Sequence, residues 1–413
     1  MPASNVSVPA DGLAPGDAAK DRRSVCPCCG GRASETVYAA HNIPVHSCIL
    51  MNTPTEAGGY PKRNLELVFC TKCGFLFNDV FDSQVQEYST NFEESQHFSG
   101  TFNAFARELA VQIANKCDLQ GKHVLEIGCG KGEFLLELCE IAGCTGLGID
   151  PGYRPERLSD KPAGRVEFIT DFFGPRYAHL EPDVILCRHT LEHIGPTAEF
   201  VRSIREMIGD REDVVVVFET PDAERVLGEG AFWDIYYEHC SYFSAGTHAR
   251  LFRQERFEVT DLELVYESQY IVQYCRPASG LTQPALPLER DLERMRGLAA
   301  GFPTLVHRTM DHWRDVVRQA GRQGRRVVLW GGGSKGVAFL TTLGVGEDVH
   351  CVVDVNPYKQ GKFMPGTGHP VVSPESLVDC PPDLVIVMNP IYLGEIGEQL
   401  KALGLNAELA ALR

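Results

Sequence analysis

The stretch Val124-Leu125-Glu126-Ile127-Gly128-Cys129-Gly130-Lys131-Gly132-Glu133 joins an apolar run to a helical pattern through a glycine loop. Gly128 and Gly130 lack a Cβ atom, so the backbone can turn sharply and a ligand can come close. The spacing is G-x-G-x-G, whereas dinucleotide enzymes use G-x-G-x-x-G to place a pyrophosphate on the helix N-terminus. Glu126 at the strand end would repel a pyrophosphate but could hold an ammonium group. The stretch therefore predicts a site for a small ligand with a cationic end.

A second strand-like run ends in an acid. Asp150 closes the run Gly146-Leu147-Gly148-Ile149, about 20 residues beyond the glycine loop, which is the distance expected of a ribose ligand. Further apolar runs at 166–170, 184–187 and 214–219 alternate with helical patterns. This alternation predicts an α/β fold with a doubly wound sheet, in which ligands lie at the carboxyl ends of the strands.

The composition is that of a globular protein with an excess of acid. The chain has 413 residues, which suggests about three domains, and a formal net charge of -16. That charge argues against a general nucleic-acid or membrane binder, because such proteins need a basic face. No run of about 18 apolar residues occurs, so no transmembrane helix is expected. We expect a disordered lead at residues 1–20 and a cytoplasmic protein, in which most of the 15 cysteines are reduced core residues.

Two C-x-x-C pairs stand out from the other cysteines. Cys26 and Cys29 form the first pair, Cys70 and Cys73 form the second, and a glycine follows each. Four thiolates are the ligand number of tetrahedral Zn²⁺, so we predict a structural zinc ribbon over residues 21–80. The reserve ligands are Cys28, His41, His46 and Cys48. Unrelated pairs of reduced cysteines, or a ribbon that binds nucleic acid, are the alternatives.

An aromatic and polar segment separates this unit from the glycine loop. It contains Tyr88, Phe92 and Gln96 and precedes a helical pattern at 102–117. Aromatic loops ahead of such a domain often close over the ligand. A packed crossover connection explains the same residues equally well.

The most specific chemistry lies in the stretch Trp233-Asp234-Ile235-Tyr236-Tyr237-Glu238-His239-Cys240-Ser241-Tyr242-Phe243. A histidine with a pKa near neutrality and a carboxylate beside it suits the removal of a proton from carbon. A phenol can donate to the oxygen of a developing enolate. His239, Glu238 and Tyr236 are therefore the candidate catalytic residues. A buried aromatic segment with a hydrogen-bonded histidine is the alternative.

The sequence His189-Thr190-Leu191-Glu192-His193, after another strand-like run, has the H-x-x-E-H spacing of some metal sites. We set a metal aside here, because no third ligand is evident in the sequence.

Residues 276–413 repeat the strand–glycine-loop–helix theme. Three prolines and one glycine at 277–287 mark a boundary, and a long charged helical pattern at 288–324 follows, interrupted near 301–303. No acid ends the strand before the loop at 331–336, and Ser334 and Lys335 could meet an anion. We expect a smaller Rossmann-like domain that binds substrate phosphates or NAD, or that is purely structural.

In combination these motifs resemble the sugar C-methyltransferases that act on nucleotide-linked 4-keto-deoxysugars. The resemblance rests on the two cysteine pairs, on Leu125-Glu126-Ile127-Gly128-Cys129-Gly130, on Tyr236-Tyr237-Glu238-His239 and on Val353-Asp354-Val355-Asn356-Pro357-Tyr358-Lys359. It implies a class I methyltransferase domain with its linker over residues 81–275, which binds S-adenosylmethionine (SAM), between the zinc ribbon and the C-terminal domain. The implied cofactor contacts are Glu126, Gly128, Cys129, Gly130, Asp150, Asp171, Phe172, His189 and Gln96.

The resemblance also implies a mechanism and a substrate. His239 would remove the proton beside the keto group, Glu238 would orient His239, and Tyr236 would hold the substrate or enolate. The resulting carbanion would attack the sulfonium methyl group. The implied substrate contacts are Phe92, Tyr88, Lys335, Asn356 and Lys359. The partner would be a small molecule, not a nucleic acid or a membrane, and the enzyme would be a monomer or a weak homodimer.

Two departures from the family pattern keep other activities open. Phe92 stands where the family has a tyrosine, which removes a candidate donor at the keto oxygen that Tyr88 could replace. Tyr266-Glu267-Ser268-Gln269-Tyr270 stands where the family has a stretch of His-Gly-Gly-Ser type. The alternatives are an O- or N-methyltransferase on another small metabolite and a non-catalytic binding module for SAM with a zinc ribbon.

Overall fold

Three sheets follow one another along the chain, as the sequence motifs lead one to expect. The computed structural model describes residues 25–32, 34–86, 91–158, 165–278, 280 and 283–413. The predicted lead at residues 1–20 lies outside this part of the chain. The described residues form a four-stranded, a seven-stranded and a five-stranded sheet, whose strands and helices we number in chain order.

The N-terminal ribbon (residues 25–80) contains the two cysteine pairs and a small antiparallel sheet. β1 (Ser34–Pro44) pairs with β2 (Lys62–Cys70), β2 pairs with β3 (Leu76–Asn78), and the short helix α1 (Pro54–Gly58) lies between β1 and β2. The fourth strand, β9 (Ser241–Tyr242), comes from the middle of the chain and pairs with β3. Main-chain hydrogen bonds therefore join the ribbon to the segment around His239.

The central domain is the doubly wound sheet that the alternating pattern predicts. Its strands are β4 (His123–Ile127), β5 (Thr145–Ile149), β6 (Val166–Ile169), β7 (Val184–Arg188), β8 (Val215–Pro221), β10 (Phe257–Val265) and β11 (Tyr270–Pro277). Its helices are α2 (Gly100–Lys116), α3 (Glu133–Ala142), α4 (Thr197–Ile208), α5 (Ala223–Glu229) and α6 (Ala245–Gln254). The sheet order is β10-β11-β8-β7-β4-β5-β6, with β4 to β8 parallel and the β10–β11 hairpin antiparallel at one edge.

The C-terminal domain is a parallel sheet preceded by one long helix. Its elements are α7 (Leu292–Arg322), β12 (Val327–Trp330), α8 (Ser334–Leu343), β13 (Val349–Val353), β14 (Val371–Val372), β15 (Leu384–Val387), α9 (Leu393–Ala402) and β16 (Glu408–Ala411). The order β14-β13-β12-β15-β16, with parallel pairing throughout, is the Rossmann-like arrangement expected from the second glycine loop.

The expected interruption of the long helix near residues 301–303 is wrong. α7 runs unbroken past Pro303, although proline removes one helical hydrogen bond at a cost of about 3 kcal/mol. Packing offsets this cost, because Phe302 is fully buried and its ring meets that of Tyr38 in the ribbon at a centroid distance of 6.1 Å. None of the described helices is both long enough and apolar enough to cross a membrane.

The β10–β11 hairpin was missed by the sequence analysis. Its turn is made of Tyr266, Glu267 and Ser268, which have positive φ angles of 54°, 54° and 61°. Successive left-handed residues other than glycine are uncommon, and neither glycine nor asparagine marks this turn. The stretch that departs from the family pattern is therefore a strand turn.

Glu93, in the linker, contacts all three units. Its N–H donates to the carbonyl of Cys48 in the ribbon at 2.8 Å. One carboxylate oxygen accepts from Arg157 of the central domain at 2.6 Å, and the other accepts from Asn356 of the C-terminal domain at 2.9 Å. Glu93 is buried and the Arg157 side chain is 3 % exposed, so this junction lies in the protein interior.

The C-terminal domain also completes the first turn of helix α2. The Glu395 carboxylate on α9 accepts from the Ser99 hydroxyl at 2.7 Å and from the N–H groups of Gly100 and Thr101 at 3.2 and 3.0 Å. The first N–H groups of a helix have no partner within the helix, and a negative charge there is stabilising. Glu395 therefore acts as a cap supplied by another domain.

Replacing Glu93 by alanine is expected to destabilise the whole molecule. The substitution leaves the buried Arg157 guanidinium without its closest partner, and breaking a buried pair typically costs about 3–5 kcal/mol. We expect the midpoint of thermal unfolding, followed by circular dichroism, to fall by several degrees. Glu293→Ala is the control, because the Glu293 side chain is 84 % exposed. Equal midpoints for the two variants would contradict the role assigned to Glu93.

Candidate active site

The carboxyl ends of the two parallel sheets face one cavity of about 860 Å³. β4, β5, β7 and β8 end on one side of it, and β12, β13 and β15 end on the other. Most of the described site residues predicted from the sequence line this cavity. They are Phe92, Gln96, Glu126, Gly128, Cys129, Gly130, Asp150, Phe172, His189, Tyr236, Glu238, His239, Lys335, Asn356 and Lys359.

The glycine loop after β4 needs glycine for two separate reasons. Gly128 and Gly130 have φ angles of 72° and 56°, in the left-handed region that favours glycine. A Cβ atom on Gly128 would also lie 2.0 Å from Thr190 Oγ1. Gly130 N–H donates to one oxygen of Asp150 at 2.9 Å, and Gly152 N–H donates to the other at 2.6 Å. The loop and the end of β5 are therefore fixed to each other at the cavity wall.

Two buried acids at the ends of β4 and β8 differ in charge. Burial raises the pKa of Glu126 to about 8, and its Oε2 atom is buried without a hydrogen-bond partner in the described chain. Burial also disfavours charge on Glu219, but Arg188 and His189 outweigh it and lower the pKa of Glu219 to about 2. His189 Nε2 lies 3.4 Å from Glu219, and Arg188 forms an ion pair with the same carboxylate. Glu126 is therefore the acid left to receive a cation.

Asp171 lies apart from the cavity, whereas Phe172 reaches its rim with 57 % exposure. The Asp171 carboxylate accepts from Arg176 and from the Tyr177 hydroxyl, both at 2.7 Å. The position of Asp171 thus gives no support to the cofactor contact that the resemblance implies for it. Its place after a strand indicated the correct edge of the sheet, but the next turn offers nearer partners than the cavity does.

The loop at 235–240 brings Tyr236 and His239 together. The His239 N–H donates to the Tyr236 carbonyl at 3.2 Å, and this turn places the Tyr236 hydroxyl 2.9 Å from His239 Nε2. The ring of His193 packs edge-on against that of His239 at a centroid distance of 4.8 Å. Burial, followed by the nearby His193 and His189, lowers the pKa of His239 well below its usual value. The lowered pKa favours the neutral ring, which can accept a proton, but it departs from the pKa near neutrality that the sequence analysis expected of a general base.

No hydrogen bond joins Glu238 to the His239 ring in the described structure, so the orienting role that the resemblance implies finds no support here. One oxygen of Glu238 accepts from the Ser47 N–H of the ribbon at 3.0 Å, and the other is buried without a hydrogen-bond partner in the described chain. Burial raises the pKa of Glu238 to about 8. The turn that folds Tyr236 onto His239 points the intervening side chain in another direction, so neighbours in sequence do not meet.

The fold brings His239 to two residues of the H-x-x-E-H stretch, a neighbour that was not evident in the sequence. Ligand atoms of Glu192, His193 and His239 all lie within 4.8 Å of one another. The loop at 235–240 brings the third residue, which no local spacing could reveal. This group could hold a metal ion, although a metal bound to His239 would prevent that residue from acting as a base.

The C-terminal wall carries the residues predicted to meet the substrate, and its two lysines are already paired. Lys335, near the N-terminus of α8, forms an ion pair with Asp234, and Lys359 Nζ lies 3.4 Å from Asp354. Asn356 is bonded to the linker residue Glu93, as described above. An anion that entered here would compete with these two aspartates for the lysines.

The linker residues line the cavity between the two domains. The Phe92 carbonyl accepts from Lys131 at 2.7 Å, and the Gln96 side chain accepts from the Tyr392 hydroxyl at 3.0 Å. Tyr88, the residue suggested as a replacement for the family's tyrosine, lies outside the described residues. Glu94 also lines the cavity and was missed; burial raises its pKa to about 7.

Two further contributions to the site come from the ribbon and were not predicted. Ser47 holds Glu238, and Cys48 lines the cavity with its Sγ atom 3.5 Å from the Ser334 hydroxyl. The sequence singled out Cys48 only as a reserve metal ligand. No motif signals either residue, because both reach the site through the folding of the ribbon onto the central domain.

The four predicted metal ligands form one cluster, at the end of the ribbon sheet away from Ser47 and Cys48. The Sγ atoms of Cys26, Cys29, Cys70 and Cys73 lie within 4.8 Å of one another, and the Cys26–Cys73 and Cys29–Cys70 distances are both 3.7 Å. Zn–S bonds of about 2.3 Å in a tetrahedron place the sulfurs about 3.8 Å apart. The cluster therefore fits one tetrahedral ion. The reserve ligands Cys28, His41, His46 and Cys48 do not belong to it.

Comparison with known proteins agrees with this architecture. Residues 99–262 match the family described as methyltransferase domain, and residues 288–407 match the family described as C-methyltransferase C-terminal domain. The chain is a SAM-dependent methyltransferase. The C-methyltransferase NovU of Streptomyces niveus is 26 % identical to this methyltransferase over 364 residues, which cover 84 % of this chain and 85 % of the relative. Together these matches support a C-methyltransferase.

One further relative and one solved structure are each similar to part of this chain. The ubiquinone biosynthesis O-methyltransferase of Actinobacillus pleuropneumoniae is 35 % identical over 112 residues, which cover 25 % of this chain and 47 % of the relative. The solved structure of the 1,6-didemethyltoxoflavin-N1-methyltransferase of Burkholderia thailandensis is 18 % identical, with a TM-score of 0.35, and covers 44 % of this chain and 82 % of that one.

The glycine at position 128 provides a test of the cofactor side. Gly128→Ala adds a Cβ atom against Thr190, so we expect the affinity for S-adenosylhomocysteine, measured by calorimetry, to fall at least tenfold. Gly121→Ala is the matched control: Gly121 has a φ of 74° and open space around its Cβ position, so it carries the same backbone strain without the contact. Similar affinities of the two variants would contradict the steric role of Gly128.

Proposed function

We propose that this methyltransferase transfers a methyl group from SAM to a carbon atom beside the carbonyl group of a nucleotide-linked ketosugar. The observation that carries the proposal is the position of the Tyr236–His239 pair. The pair lines the same cavity as the glycine loop of the central domain and the second glycine loop of the C-terminal domain. A base and a hydroxyl donor thus lie between a candidate cofactor wall and a candidate substrate wall.

The residues at the ends of β4 and β5 fit SAM. Glu126 Oε2 is buried without a partner and can accept from the ammonium group of the methionine part. Asp150 is fixed by two backbone N–H groups, and each of its oxygens keeps a lone pair for a ribose hydroxyl. Phe172 at the rim can cover the adenine. When bound, SAM supplies an electrophilic methyl group on its sulfonium sulfur.

His239 acts as the base in this proposal. Its Nε2 atom takes the proton from the carbon beside the carbonyl, and the electron pair of the broken C–H bond moves into the enolate. The Tyr236 hydroxyl, which lies at Nε2 in the described structure, turns to the carbonyl oxygen and stabilises its negative charge. His239 is buried and Tyr236 is half-buried, which limits the access of water that would return the proton.

The nucleotide-linked substrate is inferred from the C-terminal wall and from the family resemblance. The N-terminus of helix α8 carries Ser334 and Lys335, and helix N-termini favour anions. A diphosphate would replace Asp234 and Asp354 as the partner of Lys335 and Lys359. The volume of about 860 Å³ is near the upper end of small-molecule sites, as two ligands require.

We also propose that the cysteine cluster binds one structural Zn²⁺. The sulfur distances support a tetrahedral ion, and four thiolates leave no open position for catalysis. Carbonyl groups of the cysteine loops accept hydrogen bonds from the central domain, for example Cys28 from Gln254 and Cys73 from Arg250. This docking favours a structural role over nucleic-acid binding.

A second candidate is methylation of oxygen or nitrogen. The observation that favours it is Phe92, which lines the cavity where the family has a tyrosine, so a hydroxyl at the carbonyl oxygen is missing. In that case His239 would deprotonate a hydroxyl or an amine. The third alternative, a binding module without turnover, is not retained because the chain is an enzyme.

Hydrogen exchange at carbon separates the two candidates. With S-adenosylhomocysteine bound in D₂O, the enzyme should exchange the hydrogen beside the carbonyl of a thymidine-diphosphate-linked 4-keto-6-deoxysugar, measured by mass spectrometry. His239→Gln should slow this exchange about 100-fold or more, in line with the usual contribution of a general base. His312→Gln, at an exposed site, is the control. Methyl transfer to oxygen or nitrogen without such exchange would establish the second candidate instead.

Metal analysis tests the zinc proposal. Purified enzyme should contain one zinc per chain by inductively coupled plasma mass spectrometry, and Cys29→Ser should lower this content by at least half. Cys28→Ser is the matched control, because Cys28 is its neighbour but does not belong to the cluster. Equal zinc contents in the two variants would refute the ligand assignment.

A further inference from the structure

The ribbon contacts the residues on both sides of His239. On one side, Ser47 N–H donates to the Glu238 carboxylate at 3.0 Å. On the other side, Asn78 N–H donates to the Cys240 carbonyl at 2.9 Å. The loop that carries the proposed base is thus held at its two flanking residues by a unit that lies outside the central domain.

Only a few residues of the chain separate the contact at Asn78 from the cysteine cluster. Cys70 N–H donates to the Phe75 carbonyl at 2.8 Å, which closes the second cysteine loop immediately before β3. β3 then pairs with β9 in the register Leu76↔Tyr242 and Phe77↔Ser241. The strand that reaches the catalytic loop therefore starts at the cluster.

The cavity wall proposed to bind SAM is held by other contacts than the loop that carries His239. Gly128, Gly130 and Asp150 are fixed by contacts within the central domain, and the ribbon donates no hydrogen bond to them in the described structure. The ribbon reaches this side indirectly, through the Cys48 carbonyl that accepts from the linker residue Glu93. A change in the ribbon that keeps this contact should therefore disturb the position of His239 more than that of the SAM wall. A larger effect on His239 than on the SAM wall would distinguish a positioning role of the ribbon from a general contribution to folding.

We propose that the N-terminal ribbon is a positioning element of the reaction, in which Ser47 and Asn78 hold Glu238 and Cys240 and thereby fix His239, and the metal bound by the cysteine cluster keeps β3 in place for this task. The proposal rests on the proposed function in two respects, because it takes His239 as the base and the cysteine cluster as a Zn²⁺ site. Ser47 and Asn78 are positioning residues that do not touch the reacting atoms.

Ser47 offers a sharp test because its contact is made by the backbone. Ser47→Pro removes the N–H, whereas the conservative variant Ser47→Ala retains it. We expect kcat, or the rate of carbon–hydrogen exchange, to be at least tenfold lower in Ser47→Pro than in Ser47→Ala. The affinity for S-adenosylhomocysteine and the zinc content should agree within twofold between the two variants. Equal rates, or a loss of cofactor affinity that parallels the loss of rate, would overturn the proposal.

A measurement on the wild-type chain needs neither a substitution nor a substrate. Amide hydrogen exchange, followed by mass spectrometry, is compared before and after zinc is removed with a thiol reagent and chelator. Peptides that cover 236–242 should exchange at least tenfold faster without zinc, and peptides that cover 124–130 should change less than twofold. Equal changes in both regions, or no change at 236–242, would refute the positioning role. If the loop responds as expected but no ketosugar is turned over, the coupling stands and the proposed function fails.

Discussion

The buried carboxylate of Glu93 joins the three units of the molecule, and the cavity between them depends on this junction. One oxygen binds the central domain, the other binds the C-terminal domain, and the N–H binds the ribbon. A charged group in an environment of low dielectric is held firmly when all its partners are present and becomes costly when one is missing. Glu93 therefore ties the relative positions of the walls to the linker, whose next residues line the cavity themselves.

The two strand-end acids Glu126 and Glu219 show how two nearby buried acids can differ in charge. Arg188 and His189 keep Glu219 ionised, whereas burial without a close partner holds the pKa of Glu126 near 8. Environments that push the pKa values of similar groups apart are typical of functional sites. Binding of a cationic cofactor would place a positive charge close to Glu126, as Arg188 and His189 do for Glu219.

The sheets, the glycine loop and the cysteine cluster could be read from the sequence because each depends on residues close together in the chain. Asp150 and the cysteine pairs are examples, since their spacing carries the information. Contacts between residues far apart in the chain could not be predicted from the sequence. Examples are the contact of Ser47 with Glu238, that of His193 with His239, and those of Glu93 with the three units. The path of α7 through Pro303 and the left-handed turn at 266–268 were missed for a related reason, because packing outweighed the local preference of the residues.

The cap that Glu395 places on helix α2 has a consequence for how such enzymes can be recombined. The first turn of the cofactor domain is completed by a side chain 296 residues away from Ser99, on the domain that forms the opposite wall of the cavity. A chimera that exchanges the C-terminal domain in order to change the acceptor must therefore bring an acid to the same place on its last helix. On the proposed function, replacing the domain that binds the acceptor therefore also replaces the cap of helix α2.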